Sequence, residues 1–265
     1  GSSTMDVLNN MQLDAFTIGN HEFDWGFDYI TDFKDPTSDS LQVDFPLLGA
    51  NIFLDGTTTR PTNIDAYTII EKGDVKVGVI GVIGTGLEYS IATSKITGYY
   101  FADPTYWTSY YAEYLRAVEE VDVVLAVIHD NGVSSGYNQA MSNLVGNQKI
   151  DAVFNGHSHS SYTQSLVRTG ANMPVIQSGS NGENVGKVSL VLNDMKQVIS
   201  ASAENLTQTS NAKLRESNST IEAKIISSFE SIFSISESIL DNSFAIKITA
   251  LSLPPRPCFF KVVPS

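Results

Sequence analysis

The sequence is poor in three features that would each point to a particular class of protein. It has one cysteine, Cys258, so no disulfide can form within the chain and no cysteine pair can hold a structural zinc ion. Lys and Arg together number 16 against 29 Asp and Glu, which gives a formal net charge of −13. Because a nucleic-acid backbone is bound by clustered positive charge, a nucleic-acid polymer is not expected as a partner. No apolar run approaches the ~18 residues of a transmembrane helix.

What the sequence does contain is an alternation of β-rich and helical segments. Asp103 followed by Pro104 predicts a helix start, with Asp as the N-cap, and this helix is expected to run to about Glu120. A second helix is expected over 137–145. Strands and helices alternate through the first half and antiparallel strands follow, so the pattern predicts a mixed α/β domain. The predicted strands include 15–18, 45–53, 121–129, a strand within 150–159 that ends in histidines, 173–179, 186–194 and 196–204, and a hairpin over 67–84 that turns at Lys72-Gly73-Asp74.

All four histidines of the chain follow the same rule of placement. His21, His129, His157 and His159 each stand at or just after the end of a predicted buried strand. A lone histidine is more often a structural residue than a ligand, but strand ends on one edge of an α/β sheet converge, and active sites collect there. The four imidazoles, together with the amide of Asn20 beside His21, form a ligand set that suits Zn²⁺ or Mn²⁺. A single zinc ion held by three histidines is the main alternative to a two-metal centre, and a simple polar turn is the alternative for residues 17–26.

Three motifs resemble those of the metallophosphoesterase (calcineurin-like) superfamily: GNHEFD, HDNG after a buried strand, and NGHSHS. The further stretches FPLLGANI, VGVIGV and VIQSGSNGENVGKV are similar to the 5′-nucleotidase family, which includes 2′,3′-cyclic-nucleotide phosphodiesterases and UDP-sugar hydrolases. The resemblance covers about residues 3–205. It implies an α/β fold, the calcineurin-like β-sandwich flanked by helices.

The resemblance also implies a role for each matching residue. Asn20, His129 and His157 match the ligands of one metal ion, and His159 matches a ligand of a second. His21 matches the histidine that contacts the substrate phosphate and stabilises the transition state. Asn20 and His21 are together the expected substrate-binding residues. Asp24 matches the carboxylate that orients this histidine, with a turn cap as its alternative role. Glu22 is interpreted as structural.

The sequence departs from the family at the start of the domain. The family places an Asp-x-His and a Gly-Asp, whose aspartate bridges the metals, before GNHE, yet only 19 residues precede Asn20 and no Asp-x-His occurs in the chain. We therefore expect a domain that lacks its first strands, with an open apolar sheet edge, in a chain truncated at both ends. The expected organisation is a partial catalytic domain over 1–205, a linker helix over 206–235 and an unassigned tail over 236–265.

The function that the resemblance implies is hydrolysis of a nucleotide phosphoester, a step of nucleotide catabolism, by a 5′-nucleotidase-like enzyme with two divalent ions (Zn, Mn, Co or Mg). A cyclic-nucleotide phosphodiesterase, a UDP-sugar hydrolase and an inactive fragment or pseudoenzyme are the alternatives. The expected partner is a nucleotide or another small phosphate ester, and the family suggests an extracytoplasmic location. For the chain itself, we expect at most one bound ion and no activity, because the Asp-x-His and Gly-Asp ligands are absent.

Overall fold

The computed structural model describes residues 2–207, 209–211, 244–252 and 258–264. The helices that position the site are short, except for one that covers the outer face of a sheet. The α-helices are α1 (Ser2–Asn10), α2 (Phe27–Thr31), α3 (Thr93–Ile96), α4 (Pro104–Ala117) and α5 (Tyr137–Asn143). The strands are β1 (Ala15–Thr17), β2 (Leu47–Leu48), β3 (Ile52–Leu54), β4 (Tyr67–Lys72), β5 (Val75–Ile83), β6 (Tyr99–Phe101), β7 (Val123–His129), β8 (Ala152–Asn155), β9 (Ser161–Leu166), β10 (Met173–Ser178), β11 (Asn184–Leu192), β12 (Val198–Thr207), β13 (Phe244–Ser252) and β14 (Cys258–Pro264).

The described strands form two large sheets. The first has the order β12-β11-β13-β14-β1-β2 and the second the order β4-β5-β7-β8-β10-β9, while β3 pairs with β6 alone. In the second sheet the four central strands, β5, β7, β8 and β10, run parallel, and β4 and β9 are antiparallel at the two edges. The carboxyl ends of the parallel strands therefore lie along one edge of this sheet.

The two sheets pack face to face, and the alternation of side chains along β7 shows how. Leu125 and Val127 lie in the core between the sheets, with Val188 and Leu190 of β11. The intervening Ala126 lies in a second core under α4 and α5. Since successive strand residues point to opposite faces, one buried strand serves both cores. The sequence prediction of an α/β sandwich flanked by helices is confirmed.

Local sequence signals account for several elements. The N-cap of α4 is Asp103, whose carboxylate accepts hydrogen bonds from the backbone N–H of Thr105 at 2.8 Å and of Tyr106 at 3.3 Å. The hairpin of β4 and β5 turns at Gly73 and Asp74, as its sequence predicts. Helix α4 ends at Ala117 rather than Glu120.

The segment 45–53, which its sequence predicts to be one strand, is instead two short strands, β2 and β3. The chain turns between them, and the Ile52 N–H bonds the Gly49 carbonyl at 3.2 Å. The buried Asn51 amide stabilises this turn through Ile83 and Ala102. An apolar run does not reveal such a turn, because its residues are buried on both sides of it.

The tail contributes β13 and β14 to the first sheet. β14 pairs antiparallel with β1, opposing Phe260 to Ala15 and Phe259 to Phe16. Among the described strands β1 is not an edge, because it lies between β14 and β2, and the expected open apolar edge stays a prediction. β12 ends at Thr207, so the first two residues of the predicted linker helix, 206–207, belong to a strand. Apart from 209–211, the rest of the predicted helix lies outside the described residues. No helix in the described parts of the chain is both long and apolar enough to cross a membrane.

Candidate active site

The predicted site residues meet where the inter-sheet core opens at the strand ends. His129 is the last residue of β7 and shares its face with Leu125 and Val127, so its ring points between the sheets. Asn20 begins a 3₁₀ helix, Asn20–Phe23, directly after β1 of the other sheet. His129 Nε2 and Asn20 Oδ1 lie 2.8 Å apart, and both residues are buried. Two motifs that are 109 residues apart in sequence thus meet through one hydrogen bond.

Gly19 of the GNHE motif makes this approach possible. A Cβ at Gly19 would lie 2.8 Å from both Nδ1 and Cε1 of the His129 ring, which is closer than real Cβ contacts. The backbone of Gly19 is extended, with φ −114° and ψ −176°, so its conformation does not require glycine. The glycine is needed here for space, because the imidazole of His129 packs against the backbone that carries Asn20.

His129 is held in its neutral form. Burial, with a smaller effect of the nearby His157, His21 and His159, lowers its pKa to about 3. Because Asn20 Oδ1 accepts a hydrogen bond, the neutral ring carries its proton on Nε2 in this arrangement. Nδ1 is buried and has no hydrogen-bond partner among the described residues. A neutral imidazole is the form that binds metal ions.

His157 and His159 lie on the loop that follows β8. Both have left-handed backbone conformations, with φ of 66° and 56°, which non-glycine residues seldom adopt. The ring of His157 lies 5.2 Å from that of His129 between centroids, with the planes at 71°. Burial lowers the pKa of His157, and Asp130 opposes this shift while His159 and His21 add to it. His159 is exposed.

His21 and Asp24 form a pair at the exposed side of the same cluster. His21 Nδ1 and Asp24 Oδ2 lie 2.8 Å apart, with 38% and 47% of the two side chains exposed. The neighbouring Glu22 has a different partner, since its Oε2 accepts a hydrogen bond from the Gly19 N–H at 2.9 Å. Glu22 thus caps the 3₁₀ helix that presents Asn20 and His21.

Sequence reasoning missed two polar residues of this region. Asp130 directly follows His129 and packs over Gly84, where a Cβ would lie 2.6 Å from the Asp130 carboxyl carbon. Its charge raises the pKa of His157 against the effect of burial. Asn155, at the end of β8, lies beneath both histidine loops. Both residues lie within quoted motifs, HDNG and NGHSHS, and a polar residue at a buried strand end is the signal that could have identified them.

The described residues bring two candidate donor atoms to a separation close to that of two ligands of one ion. Two ligands of one ion, each ~2.1 Å from it, lie about 3 Å apart, and His129 Nε2 and Asn20 Oδ1 have this separation. The predicted ligands are neutral imidazoles and an amide, whereas two neighbouring dications need anionic ligands to offset their repulsion. Moreover, no three His, Cys, Asp or Glu side chains in the described residues are gathered closely enough to hold an ion. Within the same part of the chain, His129 also lacks the outer acceptor that metal-binding histidines usually have.

The two-sheet fold, with histidines at its strand ends, resembles that of the metallophosphoesterase class. No family model matches the chain. It is 27% identical over 216 residues to an apyrase of Tabanus yao, covering 74% of this chain and 36% of that protein. It is 28% identical over 220 residues to a venom 5′-nucleotidase of Naja atra, covering 76% of this chain and 39% of that enzyme. The structure of a 5′-nucleotidase precursor from Thermus thermophilus shares the fold, with a TM-score of 0.62 and 18% identity over 89% of this chain and 46% of that one.

These relatives and the shared fold confirm the resemblance to the 5′-nucleotidases within that class. The chain spans well under half the length of the curated relatives it matches.

Proposed function

We propose that the protein to which this chain belongs hydrolyses phosphate esters of nucleotides with the help of divalent metal ions. The supporting observation is that His129 bonds Asn20 and lies near the other three histidines at the strand ends, on a fold shared with 5′-nucleotidases. The net charge of −13 agrees with this proposal, because an acidic protein that binds a phosphate needs metal ions as its source of positive charge.

Asn20, His129 and His157 are the proposed ligands of one ion, and His159 is the proposed ligand of a second ion in a complete site. The ring of His157 would turn toward the Asn20–His129 pair to complete the first set. When bound, a divalent ion would activate water as the nucleophile and offset charge on the phosphoryl group. Zn, Mn, Co and Mg are the candidates that the family suggests.

His21 is the proposed catalytic residue, with Asp24 as the residue that orients it. The carboxylate of Asp24 accepts the Nδ1–H of His21, which fixes the direction of the ring. When the ring carries a proton on each nitrogen, Nε2–H can donate a hydrogen bond to a phosphoryl oxygen on which charge develops. Asn20 is proposed to contact the same phosphate.

A nucleoside monophosphate is the proposed substrate, and the cyclic-nucleotide phosphodiesterase and UDP-sugar hydrolase activities are the competing ones within enzymes. An extracytoplasmic location is part of the proposal, because a venom enzyme and a precursor are among the similar proteins. Hydrolysis of AMP, a 2′,3′-cyclic nucleotide and a UDP-sugar, compared side by side with Mn²⁺, separates the three activities.

The second candidate is a non-catalytic metal-binding domain, and the uncharged ligand set favours it for this chain. The gene decides between the two candidates. Codons for Asp-x-His and Gly-Asp upstream of Gly1 would complete the ligand set, and the product that contains them should release phosphate from AMP in the presence of Mn²⁺. If these codons are present and their product releases no phosphate from any of the three substrates, the catalytic proposal is wrong.

A further inference from the structure

His129 is the last residue of β7, whereas His157 lies on the loop after β8, beyond the paired part of the two strands, so further contacts must help to set the distance between the two rings. His157 and His159 have left-handed backbones, which cost conformational energy in non-glycine residues. Such conformations persist where the surrounding structure determines them. One buried amide, that of Asn155, contacts elements on both sides of this region.

Asn155 is the last residue of β8, two residues before His157, and is 4% exposed. Its Nδ2 donates a hydrogen bond to Asn138 Oδ1 on α5 at 3.1 Å. Its Oδ1 accepts one from the Tyr162 hydroxyl on β9 at 2.8 Å. The amide therefore links the helix that follows the His129 loop to the strand that follows the His157 loop.

The His129 loop also packs directly on this amide. A Cβ at Gly132, three residues after His129, would lie 2.2 Å from Asn155 Nδ2. No side chain larger than hydrogen fits there without displacing one of the two. The backbone of the first loop and the side chain at the root of the second are thus in contact.

A second bond holds the tip of the His157 loop. Ser158, between the two left-handed histidines, donates from its hydroxyl to Oε1 of Gln177 on β10 at 2.9 Å. Gln177 is 2% exposed, so this anchor too is buried. The Ser158–Gln177 bond orients the His157 loop relative to β10, whereas the contacts of Asn155 connect the His157 loop to the segment that follows His129.

We propose that Asn155 is a positioning residue for the histidine pair, and that its amide holds the loops of His129 and His157 at the separation that allows both rings to bind one divalent ion. The part of this inference that concerns the ion rests on the proposed function. The part that concerns the ring separation does not, since it describes the chain without metal.

Asn51 supplies a matched control. It is the same residue type, is fully buried, and its amide also makes three hydrogen bonds of 2.7 to 2.9 Å, to Ile83 and Ala102. These bonds support the turn between β2 and β3 and the end of β5, where Ile83 is the strand partner of His129, but none of them reaches Asn155 or the loop after β8. Asn51→Ala should therefore lower the free energy of unfolding without altering the histidine pair.

The test compares the wild-type chain with Asn155→Ala, Asn51→Ala and the milder Tyr162→Phe, which removes only the hydroxyl that bonds Asn155. In metal-free protein labelled at histidine, the nuclear Overhauser signal between the His129 and His157 rings reports their separation. It should persist in wild type and Asn51→Ala, weaken in Tyr162→Phe and vanish in Asn155→Ala. The Kd for Mn²⁺, measured by calorimetry, should rise on the order of 10-fold or more in Asn155→Ala.

Unchanged ring signals and Mn²⁺ affinities in both Asn155→Ala and Tyr162→Phe would overturn the inference. An equal loss of the signal in Asn51→Ala would also overturn it, because the effect would then be general destabilisation. If Asn155→Ala does not fold, the signal in Tyr162→Phe decides. If the wild-type chain binds no Mn²⁺, the proposed function is wrong for this chain, and the metal-free ring signal still decides the role of Asn155.

Discussion

Replacing Gly19 by alanine should damage the site through a single steric contact. The added Cβ would lie 2.8 Å from Nδ1 and Cε1 of His129 and 2.9 Å from Cγ. An ordinary contact begins at 3.4 Å, so the ring or the loop must move by about 0.6 Å. Alanine tolerates the extended backbone at this position, so the change tests the space beside the ring and not the conformation of the chain.

The ring has little room in which to move. His129 is 3% exposed, its Nε2 is bonded to Asn20, and the ring of His157 lies on another side. Overpacking a buried site of this kind costs about 1–3 kcal/mol of unfolding free energy. A typical domain has ~5–15 kcal/mol, so Gly19→Ala should still fold. Because the added methyl group would displace the His129 ring from Asn20, the Kd for Mn²⁺ should rise on the order of 10-fold.

Gly78→Ala is the control, because it introduces an equally short contact away from the histidines. Its Cβ would lie 2.8 Å from Leu115 Cδ1, in the core beneath α4. Urea unfolding should show a similar loss of stability for both variants, and calorimetry should show weaker Mn²⁺ binding for Gly19→Ala alone. Wild-type stability and affinity in Gly19→Ala would refute the steric argument, and equal weakening in Gly78→Ala would refute its assignment to the His129 ring.

Three further predictions follow from the site and the core. In the catalytically complete gene product, His21→Ala should lower kcat on the order of 10²–10³-fold with metal content unchanged, whereas His157→Ala should lose metal; elemental analysis that finds His21→Ala stripped of metal would show this division of roles to be wrong. The 265-residue chain should bind at most one Mn²⁺ or Zn²⁺ and release no phosphate from AMP above background, because its ligand set holds no anion; two equivalents bound at micromolar affinity by calorimetry, or measurable phosphate release, would contradict this. Asp151→Ala should lower the free energy of unfolding, measured in urea, by about 3–5 kcal/mol, because it leaves three cations without their buried carboxylate. This carboxylate pairs with Arg116 at 2.6 Å, Lys149 at 3.2 Å and Arg168 at 3.9 Å. A loss under ~1 kcal/mol would mean that these ion pairs contribute little to stability.

Local sequence patterns were sufficient for much of the fold because their causes are local. The Asp103-Pro104 cap satisfies the free N–H groups of α4, and Gly73 supplies the left-handed turn of the first hairpin. Buried strands reveal themselves as apolar runs. The turn inside 45–53 escaped notice because Gly49 and Asn51 stand within such a run, and the amide that stabilises the turn bonds to residues more than 30 positions away.

The sequence by itself predicted most residues of the candidate site, since the histidines at strand ends and the motifs around them can be read from the order of residues alone. Only the tertiary structure decided how they are arranged. The neutral state of His129 depends on burial and on three other histidines, all of them more than 25 positions away. The need for glycine at 19 arises from a ring that is 110 positions further along the chain. Likewise, the antiparallel pairing of β14 with β1 connects the two ends of the chain. Contacts of this kind depend on which sheets and loops pack together, and no local pattern of residues encodes that packing.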